Sequence, residues 1–212
     1  MTAEEKIKAI MKNRFFEAKD FPKKFKMIKT PCPQAKLHTQ TEPNCWLFSW
    51  FNNMSLNHGV YIDEQKAIDF MGQYGMVMNN GGSIAAGAMM LAEYASDINN
   101  DYVVYSLNVL TQTKIFAELL NAGWWFMYAR DCASDVLADI ADNWKLDKLH
   151  SGITSPHAVN IWVVPKVGLR ELGSWGSASI YNDFMYGTPQ LFIQLVRSGM
   201  IEQIVTFIAK RQ

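Results

Sequence analysis

Three segments of this chain carry residues suited to nucleophilic chemistry. The first is Gln40-Thr41-Glu42-Pro43-Asn44-Cys45-Trp46-Leu47-Phe48-Ser49-Trp50-Phe51, a loop running into an apolar helix that stops at Asn57-His58-Gly59. Asn44 reads as the helix N-cap, which puts Cys45 at the first helical position. Unpaired backbone N–H groups and the helix dipole favour negative charge there, and the thiolate is the reactive form of cysteine. The second segment, Ser155-Pro156-His157-Ala158-Val159-Asn160-Ile161-Trp162-Val163-Val164, puts a histidine at the head of an apolar strand. The third, Ser179-Ile180-Tyr181-Asn182-Asp183, is a strand ending in two polar residues. Cysteine, histidine, then an amide or carboxylate are the parts of an activated thiol. In that scheme His157 holds the Cys45 thiolate as an ion pair and then protonates a leaving amine.

Cys45-Trp46-Leu47-Phe48-Ser49 resembles the Cys-Trp-Ala-Phe-Ser nucleophile helix of papain-like cysteine peptidases, and His157-Ala158-Val159 resembles their His-Ala-Val strand. Tyr181-Asn182-Asp183-Phe184, followed by Gly187, is similar to the Asn-Asp-Pro-aromatic-Gly strand end of the bacterial double-glycine-leader (bacteriocin-processing) peptidases, a branch of the same fold. The resemblance runs over residues 40–208 and rests on these three segments. It implies hydrolysis of peptide or isopeptide bonds through an acyl-thioester on Cys45. Transglutaminase and amidase chemistry uses the same Cys-His-Asp parts, and a papain fold can also serve as a catalytically silent binding or structural module. The glycine in Gly173-Ser174-Trp175-Gly176, where papain-like enzymes carry the asparagine of Asn-Ser-Trp-Gly, speaks for the silent alternative.

The third triad member follows from strand geometry together with this resemblance. Asn182 and Asp183 are adjacent in a strand and point to opposite faces, so one of them reaches His157. An Asn-Ser-Trp alignment gives Asn182. An Asn-Asp-Pro alignment gives Asp183, and Tyr186 and Gly187 favour the latter. An oxyanion hole needs donors aimed at the developing charge. The Cys45 N–H is one; the family's other is an upstream glutamine, which implies Gln40, one residue nearer the cysteine than in papain, with Gln34 as a second candidate. Gly81-Gly82 reads either as a plain loop or, by the resemblance, as a backbone edge of the substrate cleft.

These residues need a scaffold. Thr2-Ala3-Glu4-Glu5 is a capping box opening a helix through about Phe16. Helices are also expected over 45–57, 63–74, 83–94, 111–121 and 188–198, and strands at 102–105, 124–128, 157–164, 171–183 and 201–208. Gly75 reads as a helix cap, and the small residues Ala85-Ala86-Gly87-Ala88 allow close helix packing. His38 and His58 read as loop residues. Helices first and strands second predicts a single α+β domain: a mainly helical lobe over 1–100 with the nucleophile helix at its centre, packed on a mainly β, mostly antiparallel lobe over 101–212, with the site where the two meet.

Composition bounds the partners. Apolar residues are 49% of the 212 and charged residues 19%, the balance of a soluble globular domain. A formal net charge of zero gives no general attraction to nucleic acid or anionic membrane. Residues 1–30 carry nine Lys/Arg against four Asp/Glu, which reads as a solvated helix face or as a contact for an anionic partner, or else as a propeptide. No run is long and apolar enough to span a bilayer. Cys32, Cys45 and Cys132 are an odd set without disulfide-framework spacing, which predicts a reducing, cytoplasmic setting. No zinc-ligand spacing is present, so no metal or other cofactor is expected.

Overall fold

One helix without a solvent face organises the structure. The computed structural model describes residues 2–17, 36–40, 44–76, 83–97, 100–130, 157–164, 168–172, 189–199 and 201–211. Helix α2 (Cys45–His58) is buried at every position from Trp46 to Asn57. Trp46, Leu47, Trp50, Phe51 and Met54 make it apolar nearly all round, the composition that drives a helix into an interior. Gly59 ends it in the left-handed conformation at φ 68°, its N–H bonding Ser55 O.

Around α2 lie α1 (Ala3–Arg14), α3 (Glu64–Gly72) and α4 (Ile84–Ala95). The Thr2–Glu5 capping box closes in both directions, Asp63 caps α3, and Ser83 caps α4 through Ala86 N–H. Gly87 is where α4 meets α2: a Cβ there would lie 2.6 Å from the Trp46 ring. The glycine is therefore a packing requirement.

The strands are β1 (Phe15–Glu17), β2 (Asp101–Asn108), β3 (Phe126–Arg130), β4 (His157–Val164), β5 (Gly168–Leu172) and β6 (Ile204–Arg211). They form one mixed sheet in the order β1-β2-β6-β3-β4-β5, with β1 parallel to β2 and every other pairing antiparallel. Helices α5 (Thr113–Asn121) and α6 (Pro189–Arg197) complete the α+β arrangement.

Side-chain alternation sorts the core into two layers. Val103, Tyr105, Phe126, Tyr128, Val159, Ile161 and Phe207 face Phe116, Leu119, Leu191, Phe192 and Leu195 of α5 and α6. Tyr102, Val104, Met127, Ala158 and Ile208 face the side of α2 and α4. The C-terminal half thus carries helices on the sheet face opposite α2, an addition to the expected plan of a helical lobe on a β lobe.

Gly75 closes α3 as expected: it sits in the left-handed conformation at φ 76°, its N–H bonds Gly72 O, and the following Met76 N–H reaches back to Met71 O. Three expectations are corrected. Phe15 and Phe16 do not extend α1; they pair with Val104 and Tyr105 as an edge strand, because Phe15 then packs with the α2 core and Phe16 on the Tyr105 ring. Trp124 and Trp125 precede β3 rather than belong to it. His58 is the last residue of α2, half-buried with its ring against Tyr102 and Trp124, not a loop residue. In the basic N-terminal segment, Arg14 is held by Glu93, Asp101 and Tyr102 O, so its charge is neutralised internally.

Candidate functional site

Cys45 is the first residue of α2, and its thiol is free and half-buried. Asn44 stands at the N-cap position, and its carbonyl accepts from Leu47 N–H at 3.0 Å and Phe48 N–H at 3.2 Å. Its side chain does not cap, contrary to the expectation: φ −110° and ψ 36° lie off the extended geometry a capping side chain needs, and its buried Oδ1 has no hydrogen-bond partner among the described residues.

His157 opens β4, paired with Arg130 of β3, and is described through its backbone. The docking of α2 on β4 brings the two heads together. Ser49, one turn along from Cys45, donates from Oγ to Ala158 O at 2.6 Å, and Ala158 directly follows His157. Two residues further along β4, fully buried Asn160 donates from Nδ2 to Ser49 O at 2.8 Å and accepts from Asn53 Nδ2 at 2.8 Å.

Gln40 is buried, and the chain leading to it is laced to α2. Ser55 Oγ donates to Lys36 O at 2.6 Å; His38 N–H donates to Asn52 Oδ1 at 2.7 Å, and Asn52 Nδ2 returns a bond to His38 O at 3.1 Å. Lys36 lies beside Ser55 and His38 beside Asn52, so the segment runs antiparallel to α2. Two more residues carry Gln40 toward the Cys45 end.

His38 itself was not singled out by residue type. Its ring stacks on Tyr61 at 4.1 Å, and its Nδ1 lies 2.6 Å from Glu64 Oε1. Burial pushes its pKa down, against the opposing pull of the Glu64 carboxylate, so the ring is neutral near pH 7 and Nδ1–H is the donor. It anchors the Gln40 segment to both α2 and α3. Sequence spacing carries no signal for this, since its partners lie 14 and 26 positions away.

Asn182, Asp183, Gly81, Gly82, Gln34, Cys32, Cys132 and Gly173 lie outside the described residues. Among the described residues no group of His, Cys, Asp or Glu is arranged to hold a metal, and no helix is long and apolar enough to cross a membrane. No protein-family model matches the chain, and neither a curated protein nor a solved structure shows significant similarity to it.

Proposed function

We propose that this protein is a papain-like cysteine peptidase that cleaves peptide or isopeptide bonds in a peptide or protein substrate. The observation that carries this reading is the Ser49 Oγ to Ala158 O bond, which sets the helix head bearing Cys45 against the strand head bearing His157. The free, half-buried thiol and the course of the Gln40 segment along α2 add to it.

In this mechanism the Cys45 thiolate attacks the substrate carbonyl and the carbonyl π electrons move onto oxygen. Cys45 N–H and the Gln40 side chain stabilise that oxyanion. The His157 imidazolium gives its proton to the departing amine, leaving an acyl-thioester. His157 then takes a proton from water as the hydroxide adds to the thioester, and collapse releases the acid and expels the Cys45 thiolate, restoring its pair with the His157 imidazolium. Asp183, or Asn182 in its place, holds the imidazole in the tautomer that serves Cys45.

Iodoacetamide labelling read by peptide mass spectrometry tests the nucleophile, and a fluorogenic peptide-amide library tests the reaction. Cys45 is expected to alkylate well ahead of Cys32 and Cys132 at pH 6, and Cys45→Ala to remove several orders of magnitude of turnover while keeping the far-UV spectrum. Equal labelling of all three cysteines with no library cleavage overturns the enzyme in favour of a silent papain fold. Release of simple amides without peptide cleavage moves it to the amidases.

A further inference from the structure

The helix–strand junction holds more polar contacts than docking requires. Trp46, Leu47, Trp50 and Met54 bury enough apolar surface to seat α2 on the sheet, but apolar attraction is non-directional and leaves a helix free to slide or roll. Hydrogen bonds have narrow limits of distance and angle. Three of them join α2 to β4: Ser49 Oγ to Ala158 O, Asn160 Nδ2 to Ser49 O, and Asn53 Nδ2 to Asn160 Oδ1. Asn160 is fully buried and bridges two successive turns of α2, with its donor on Ser49 and its acceptor on Asn53. Axial shift and roll of α2 over β4 would both change the separation of the Cys45 and His157 ends of the two elements.

We propose that Asn160, acting through Ser49, is a positioning residue for the Cys45–His157 pair. This rests on the peptidase reading above. Its side chain touches neither reacting atoms nor substrate; it fixes the register in which the thiol meets the imidazole. A catalytic pair displaced by about 1 Å loses on the order of 10²-fold in rate, so the clamp matters to chemistry beyond its effect on folding.

The test is the pH profile of Cys45 alkylation by iodoacetamide, which reports thiolate formation and needs no substrate. It is measured on the parent, His157→Ala, Asn160→Leu, Asn160→Asp and Ser49→Ala. Phe116→Leu, a core change on the far face of the sheet, serves as a control for lost stability. In the parent, Cys45 should alkylate faster than Cys32 and Cys132, and His157→Ala should remove that advantage. Asn160→Leu should change the profile in the same direction as His157→Ala and cut peptide-amide turnover about 100-fold. Asn160→Asp, which keeps the acceptor for Asn53 but lacks the donor to Ser49 O, should shift it likewise. Phe116→Leu should lower the melting temperature and leave the profile in place. Where Asn160→Leu does not fold, Ser49→Ala decides. Parental profiles in folded Asn160 and Ser49 variants overturn the positioning role while the peptidase stands. A parent profile that His157→Ala leaves unchanged overturns the ion pair, and with it the peptidase reading.

Discussion

Under the proposed mechanism, single side chains at Gln40 and beside His157 decide the chemistry. If Gln40 donates to the oxyanion, Gln40→Ala should lower kcat by roughly 10²–10³-fold while Cys45 labelling persists, because the donor serves the transition state and not the thiol. Single-turnover kinetics on a peptide amide would measure this, and an unchanged kcat assigns the donor to Gln34 or to backbone alone. Asp183 and Asn182 separate by pH. A carboxylate beside the imidazole raises its pKa through charge, whereas an amide only orients it. Asp183→Ala should therefore cut kcat severely and draw in the alkaline limb of kcat/KM, with Asn182→Ala changing mainly stability; the reverse outcome identifies a Cys-His-Asn triad. At this scale the sequence showed the position of Cys45, because helix starts and stops are local signals. It did not show that the Asn44 side chain would leave its cap position unused, nor that His38 would bind Asn52 and Glu64, since those depend on segments meeting in space.

Elements read more clearly than their edges. Helices α2, α4, α5 and α6 lie close to their expected spans because each combines apolar periodicity with a local start or stop. Edge strand β1 was hidden because Phe15 continues the helical spacing of Ile7, Ile10 and Met11, and only the open side of β2 turns it into a strand. The β3–β6 seam was also hidden. Among the described residues the two strands pair at Met127 and Thr206; on the Trp125–Ile208 side of that point, side chains of α2 take up the backbone groups. Asn57 exchanges bonds with Trp125 N–H and O, Asn53 takes Ile208 N–H, and His58 Nε2 bonds Ile208 O at 2.8 Å. Buried backbone groups need partners, which explains why an otherwise apolar helix carries Asn53, Asn57 and His58 here. The α2–α4 contact gives the prediction at this scale. In Gly87→Ala the new methyl meets the Trp46 ring at about van der Waals overlap, and Trp46 is itself enclosed. The substitution should cost about 1–3 kcal/mol, read as a lower urea midpoint with unchanged slope. A neutral or stabilising result would mean that α4 can move away from α2 without loss.

For the molecule as a whole, the two apolar layers meet through the sheet, and His58 ties α2 to β6 where they do so. Burial pushes its pKa from 6.5 down to about 4; the hydrogen bond to Ile208 O opposes the shift, and the nearby Lys210 charge adds to it. Tyr102, whose ring stands edge-on to His58 5.1 Å away, is raised by its own burial and stays neutral through the acid range. The sign follows from proton counts. Between pH 6.5 and 4 the unfolded chain binds a proton at this position and the folded chain does not, so the unfolded state gains as pH falls. The contribution is fully present above pH 6.5 and is lost as the pH drops through about 4. A shift of this size corresponds to about 3 kcal/mol. His38, also lowered by burial, adds in the same direction. Urea unfolding at pH 7 and pH 4.5 should show a marked loss for the parent. His58→Gln keeps a donor for Ile208 O but cannot titrate. It should be less stable than the parent at pH 7, from lost ring packing against Tyr102 and Trp124, and should lose distinctly less on acidification. Equal losses for the two proteins would mean that His58 is already charged or solvated in the folded state, and that the α2–β6 junction is open to water.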